Sequence, residues 1–561
     1  MSDTLKEYVV TLYNFEDLDS FYNDMETPGG DLYIPNRSVD VQHRRNVSRN
    51  THYMLNDPEA ETLRNDPRVL AVELLPSALG LVPETNWVQT SDFEKDNNIN
   101  ASFNNTDKNW GLFRVTEGTP LANWGTNGSF TQTNQTVKTT SSGKNVDVVI
   151  VDSHIINDHP EYAVNTDGTG GSRVDQFNWF SLNTQLGINA GSNNYDYSNI
   201  NSNHGTHVAG TVAGNTQGWA RDANIFNMAF SYSGTFTPGN WELYLFDYIR
   251  EWHKTKAINP VTGRRNPTVC NNSWGYSYST FPSVSQITGH NYRGTSTDIS
   301  SLSTTDKITS LEANGVPVPS NITYLFRMPA QYAAVDADVA DAIADGVIMV
   351  GSAGNSFWPC VKNTNANYNN YVTANGSNYY HSRGSSPARA MICVGNAGTK
   401  TQEYKDTSSN YGDRVDIWAP GENIISSVAN GDDQQSPSPY TNTLPDPRNG
   451  SYYIASISGT SMSGPQVAGV LACRAEQDPN MTHAEALDYL IDNATSGDIG
   501  STGSDYGDDE WLGDSSINDQ NKYLKYVYHR PLNGTAFPRP DHKKRPTTGS
   551  VYPRNKVRHK G

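Results

Sequence analysis

The sequence predicts an α/β protein, a parallel β-sheet with helices on both faces, preceded by a small α+β unit. Three observations carry this. From about residue 109 onward, short β-branched runs alternate with helical patterns rich in small residues, as expected of strands buried on both faces and joined by crossover helices. The first 84 residues form their own cluster of strand and helix patterns, cut off by a polar stretch. The 561 residues, 35% hydrophobic and 18% charged, suffice for one large domain plus attachments.

In chain order, KEYVVTLYNF reads as a strand, EDLDSFYNDM as a helix, and DPEAETLRNDPRVLAVELLP as a helix running into a strand. Residues 85–108 are polar, rich in Asn and Asp and without period, so they read as an exposed linker. Beyond it NVDVVIVD is a strand, HVAGTVAG a helix, PTVCNNSWG a strand, YAAVDADVADAIADG a helix and VIMVGSAGN a strand. AMICVGNAG and DRVDIWAPG continue the strands, and SMSGPQVAGVLACRAEQ and HAEALDYLIDNA are the last helices. The main domain is therefore expected over 109–495, with a surface insertion over about 276–328. Residues 496–561 form an extension with an acidic segment and a basic tail. That tail, with Lys543, Lys544, Arg545, Arg554, Lys556, Arg558 and Lys560, reads as disordered and solvated.

A net charge of −18 and a pI near 5.1 argue against a protein built to grip phosphate backbones, so no specific nucleic-acid binding is expected. No run approaches the roughly 20 apolar residues that span a bilayer, and the N-terminal residues lack a signal-peptide pattern. No membrane partner is expected, and the sequence names no compartment; leaderless release and delivery within a virion both fit. Four cysteines are too few for a disulfide framework, although one bridge is allowed. Asn-X-Ser/Thr triplets at Asn36, Asn46, Asn321 and Asn493 read as a by-product of an asparagine-rich composition.

Three positions suggest chemistry. Asp152 ends an apolar strand, where a carboxylate is held at a sheet edge. His204 opens HGTHVAGTVAG, whose small residues let a helix pack closely. Ser461 follows a Gly-Thr turn into a helix, where free N–H groups and the helix dipole favour negative charge at the hydroxyl. Singly, a turn-forming Asp, a structural His and an N-cap Ser are the ordinary readings. Together, at strand-to-helix switches of one domain, they point to an Asp-His-Ser triad.

These segments resemble the subtilases: VDSHIINDHPE their Asp motif, HGTHVAGTVAG their His motif and GTSMSGPQVAG their Ser motif. The resemblance implies a subtilisin-like fold and a serine endopeptidase with Asp152, His204 and Ser461 as triad. It implies Asn355, in VGSAGNS, as an oxyanion-stabilising residue. It places substrate along Gly234, along Ser273, Trp274 and Gly275, and along Ser352, Ala353 and Gly354. SNYGDRVDIWAPGENIIS adds features of the proteinase K-like and kexin-like branches, and NWGLFRV at Asn109 resembles the start of a mature enzyme. The N-terminal unit resembles the ferredoxin-like, inhibitor-type propeptide of this family, which implies self-processing in the linker; an unrelated α/β module is the alternative. Protein or peptide substrates and the chain's own prodomain are the implied partners. Catalysis would need no cofactor, and structural calcium is implied by resemblance without assignable ligands.

Three departures from the family pattern stand out: His154 after Asp152-Ser153, Ser463-Gly464, and Gln466. A solvent-facing His154 is the expected reading. A zinc site from His154, His204 and His207 is disfavoured by spacing, with no HExxH pattern. SWGYSYSTF lacks an acidic residue, suggesting a broad or apolar-leaning pocket. The rival reading is a structural or binding component of a larger assembly, such as a virion, that keeps the scaffold.

Overall fold

In a computed structural model of the chain, VDVVIVD contains β7 (Asp147–Asp152), a strand buried along its whole length. Its side chains alternate, Val148 and Ile150 entering one core and Val149 and Val151 the other, because successive Cβ atoms leave a strand on opposite faces. In β15 (Ile348–Ser352), Ile348 and Val350 likewise join the first core and Met349 the second. A sheet apolar on both sides needs helices on both sides. The structure describes residues 4–35, 41–84, 88–89, 109–121, 137, 139–189, 194–197, 203–230, 236–237, 239–278, 283–316, 318, 327–384, 386–398, 404–428, 444–496, 499 and 522–527.

Among these residues the central sheet has nine strands. Their order is β23 (Thr495–Ser496), β24 (Lys522–Tyr523), β19 (Ile417–Pro420), β18 (Ile392–Ala397), β15, β10 (Thr268–Asn272), β7, β9 (Asn224–Ala229) and β8 (Val174–Asp175). All neighbours are parallel except β23 and β24. The first core lies under α3 (Trp110–Glu117), α5 (Asn203–Ala213), α9 (Thr460–Gln477) and α10 (His483–Asn493). The second lies under α4 (Asn183–Leu186), α6 (Leu245–Thr255) and α8 (Ala333–Ala344). Helices α5 and α9 pack closely because Gly469 has no side chain: a Cβ there would meet Trp219 Cβ and the Val212 carbonyl oxygen at 2.8 Å. An antiparallel set, β20 (Ile424–Val428), β21 (Leu444–Asp446) and β22 (Asn449–Ser458), feeds directly into α9.

Two expected boundaries are corrected. The main domain does not stop near 495, because β24 pairs with β19, and Leu524 and Tyr526 are buried in the first core. Tyr526 also stacks on Trp219 at 5.5 Å. The stretch 276–328 is more than a surface decoration. Strand β11 (Gly275–Tyr278) leads to β12 (Ile287–Tyr292), β13 (Thr295–Asp298) and α7 (Thr304–Glu312). Strands β13 and β12 then join β16 (Tyr371–Ala374) and β17 (Ser377–Tyr380) in an antiparallel sheet. Ile287, Leu311, Met328, Trp358 and Val372 fill its separate core.

The N-terminal unit runs β1 (Lys6–Leu12), α1 (Leu18–Glu26), β2 (Val41–Arg44), β3 (Asn50–Leu55), α2 (Asp57–Arg64) and β4 (Val69–Leu74), with antiparallel sheet order β2-β3-β1-β4. Helix α2 starts at a capping box in which Asn56 accepts from Glu59 N at 2.9 Å and Glu59 accepts from Asn56 N at 2.8 Å. The unit sits on α6 and α8. Arg45 is buried between Asp247 and Asp338, and Asn50 Nδ2 donates to Asp338 at 2.9 Å. Arg49 pairs with Asp341 at 3.1 Å. Glu73 accepts from Ala333 N at 2.9 Å, at the start of α8, and burial pushes this carboxyl up to about 7.

Beyond β4 the chain crosses the main domain. Strand β5 (Leu81–Glu84) pairs antiparallel with β11, Glu84 opposite Gly275 and Leu81 opposite Tyr278. Strand β14 (Pro329–Ala330) holds the other edge of β11. Strand β6 (Val88–Gln89) pairs antiparallel with β22, Val88 opposite Ser458.

Candidate active site

Asp152 is the last residue of β7 and is fully buried. Its Oδ1 accepts from Ser153 N at 2.8 Å and lies 2.6 Å from His204 Nδ1. The carboxylate therefore fixes the ring, with Nδ1–H donating and Nε2 turned to the other side. His204 is held in place by its neighbour, since Gly205 N donates to Ser153 Oγ at 2.8 Å. Glycine is required there because a Cβ would come 2.4 Å from the Ser153 carbonyl oxygen.

Ser461 lies in the first turn of α9, just past Gly459, whose φ of 150° and ψ of 165° fall in a region open mainly to glycine. Its Oγ donates to the Ser273 carbonyl at 3.2 Å, and Ser273 Oγ donates to the Ser461 carbonyl at 2.9 Å. These two bonds tie the nucleophile candidate to the segment between β10 and β11.

Asn355 comes directly after Gly354, which has a φ of +100°. The Asn355 Oδ1 accepts from Thr460 N at 2.8 Å and from Thr460 Oγ1 at 2.7 Å. With the oxygen so occupied, the rotamer is set and the amide NH₂ points the other way. Asn410, which sequence reasoning does not single out, braces this loop. Its Oδ1 accepts from Trp358 N at 2.8 Å and from Ser356 N at 3.2 Å, and its Nδ2 donates to Ala353 O at 2.8 Å. The signal available for it is SNYGDRVDIWAPG, where Asn410 sits.

A pocket opens at Ser461. Ser273, Trp274, Gly275, Ser352, Gly354 and Asn355 line it, together with Tyr276, Ser277, Arg327, Ser356, Asn410 and Thr460. Ala353 is not in the lining: its N–H donates to Val394 O at 2.9 Å and its carbonyl is taken by Asn410. The Trp274 indole is a core group stacked on Phe230 at 5.2 Å, so its backbone faces the cleft. Gly234, most of the predicted linker and the basic tail lie outside the described residues.

His154 is corrected from solvent-facing to buried, 2% exposed and beside Tyr195 and Tyr197. Burial lowers its pKa and keeps it neutral. His207 Nε2 donates to the carbonyls of Ile424 at 2.9 Å and Ala455 at 3.2 Å, which makes it a structural residue. Burial pushes it down to about 3. Gln466 accepts from Trp219 Nε1 at 2.6 Å and so joins α9 to the loop after α5. The four cysteines are free and buried, so the allowed bridge is not formed.

A strand-end carboxylate bonded to a helix-start imidazole, with a helix-start serine and an asparagine at the carboxyl ends of the strands, is the outline of a nucleophilic hydrolase. The model of the subtilase family, Peptidase_S8, matches residues 143–510, and the chain belongs to that family. It is 22% identical over 450 residues to the alkaline serine exoprotease A of Vibrio alginolyticus, covering 80% of this chain and 55% of that protein. It is 23% identical over 440 residues to the extracellular serine proteinase of Thermus sp. (strain Rt41A), covering 78% of this chain and 69% of that protein. The chain thus spans little more than half the length of the first relative. Among solved structures, fervidolysin from Fervidobacterium pennivorans, a keratinolytic enzyme related to subtilisin, aligns with a TM-score of 0.47 at 16% identity, covering 93% of this chain and 60% of that one. A cold adapted subtilisin-like serine proteinase aligns at 0.41 and 21% identity, covering 75% and 98%. Among the described residues no helix is long and apolar enough to cross a membrane.

Proposed function

We propose that the chain is a serine endopeptidase that also cuts itself. The observation that carries the first part is the 2.6 Å contact between Asp152 and His204 at the carboxyl end of β7, with Ser461 in the first turn of α9. In this reading His204 Nε2 takes the Ser461 proton as Oγ adds to the scissile carbonyl carbon. The Asn355 amide and the Ser461 backbone N–H stabilise the resulting oxyanion. Collapse breaks the C–N bond, and the leaving amine takes the proton from His204. Water then attacks the acyl-enzyme by the same route in reverse, so the proton balance closes without a cofactor. Asp152 holds the imidazole in its tautomer and stabilises the imidazolium. Labelling of Ser461 by a fluorophosphonate probe, absent in His204→Ala, tests this; equal labelling of both proteins sinks it.

The second part rests on β5 and β6. The chain is paired to one cleft wall at Glu84 and to the other at Val88. Residues 85–87 lie outside the described residues. The bond assigned to self-cleavage lies between Glu84 and Asn109, in the polar linker that follows β5. The N-terminal unit is then a prodomain that stays docked through Arg45, Arg49 and Glu73 after the cut and occupies the cleft as an inhibitor.

A further inference from the structure

We propose that the pocket beside Ser461 selects substrates whose acyl-side residue carries a carboxylate, or more weakly a carboxamide, and that Arg327 determines this preference. The proposal rests on the peptidase reading above. Taken alone, SWGYSYSTF points to a broad or apolar-leaning pocket. The structure adds a cationic residue and several hydroxyl groups to its lining. Beyond the groups next to Ser461, the lining carries Ser273, Ser277, Ser352, Ser356, Asn410 and Arg327, and no Asp or Glu is among the described lining residues.

Two of these groups have unspent hydrogen-bonding capacity. Ser277 Oγ and Ser356 Oγ are buried atoms without a hydrogen-bond partner among the described residues, and Ser277 as a whole is 4% exposed. A buried hydroxyl left unbonded is costly, and a bound acceptor relieves that cost.

Arg327 is anchored where it can supply the charge. Its φ of +46° is a left-handed conformation, uncommon for arginine. The three residues after it are pinned to β11: Tyr278 N donates to Met328 O at 3.1 Å, and Pro329 and Ala330 pair with Ser277 and Tyr276. The arginine is thus delivered to the pocket by the strand that backs β11, opposite the edge occupied by β5. A guanidinium is always charged and presents several donors in one plane, which suits a carboxylate better than an amide and an amide better than a hydrocarbon.

The test uses processed wild-type protein with fluorogenic tetrapeptides that differ only in the acyl-side residue: Glu, Gln, Asp, Asn, Leu or Phe. We expect kcat/KM for Glu over Gln, and for Asp over Asn, to be about 10- to 100-fold, the range of a charge-assisted hydrogen bond. Raising ionic strength should compress the ratio. In Arg327→Gln the Glu:Gln ratio should fall to near one, and Arg327→Lys should restore part of it. The proposal is overturned by a wild-type ratio near one, by preference for Leu or Phe, or by an unchanged ratio in Arg327→Gln. Fluorophosphonate labelling of the same samples separates the two failures. A protein that labels at Ser461 but cleaves none of the acidic peptides refutes the pocket assignment alone; one that does not label refutes the peptidase reading on which it rests.

Discussion

Replacing Asn355 separates catalysis from stability in a way the geometry makes quantitative. Its Oδ1 receives two hydrogen bonds from Thr460, at 2.8 and 2.7 Å, and in the proposed mechanism its NH₂ meets an oxyanion that exists only near the transition state. Asn355→Ala deletes both functions. Loss of one oxyanion donor costs about 2.7–4 kcal/mol, which is about 10² to 10³ in kcat with little change in KM. Loss of the two acceptor contacts should lower stability by about 1–3 kcal/mol. Asn355→Asp keeps the acceptor for Thr460 but puts an anionic oxygen where the donor stood. It should therefore stay within about 1 kcal/mol of wild-type stability while losing at least as much kcat as the alanine variant. Steady-state kinetics on a peptide substrate beside thermal melts reads both quantities. An effect of Asn355→Ala confined to KM, or an aspartate variant within tenfold of wild-type kcat, would refute the oxyanion assignment.

Three further outcomes are expected. Arg45→Ala leaves Asp247 and Asp338 buried without their cation, a loss of about 3–5 kcal/mol that should loosen the docked N-terminal unit; since the docked unit holds the cleft after the cut, wild-type activity should lag behind self-cleavage and the variant should shorten that lag, and an equal lag contradicts the docking role. Gly469→Val should destabilise by about 1–3 kcal/mol through the 2.8 Å approaches to Trp219 and Val212, and a melting temperature equal to wild type would show that α5 and α9 can separate freely. His381 is fully buried and burial pushes it down to about 3, below an unfolded value near 6.5. The unfolded chain therefore takes up the proton first, so stability is fully present above about pH 6.5 and eroded as pH falls from there toward about 3. Melts of a Ser461→Ala background should show His381→Gln flattening that slope, and an identical slope counts against the neutral buried ring.

How much is legible in the sequence depends on how local each signal is. The strands and the triad candidates can be read because each is a contiguous pattern: an apolar run ending at Asp152, a small-residue helix after His204, a Gly-Thr-Ser turn into α9. The polar strand β3 escapes because Asn50, Thr51 and His52, buried in the structure, look like surface residues until α6 and α8 are brought against them. Pairing of β12 with β16 joins segments about eighty residues apart, and no period in either one announces the other. Arg327 reaches the pocket only because β14 returns to β11. His154 reads as exposed for a similar reason, since Tyr195 and Tyr197, which cover it, arrive from a distant loop.

The central claim is that Ser461 attacks a peptide bond of its own chain in the linker between Glu84 and Asn109. N-terminal sequencing and intact mass of purified wild-type protein beside Ser461→Ala test it most directly. The account predicts a new N-terminus between residues 85 and 109 in wild type, the N-terminal fragment co-purifying with the remainder, and an uncut Ser461→Ala chain. Wild type that digests a peptide substrate while staying full length, or Ser461→Ala cut at the same bond as wild type, would contradict it.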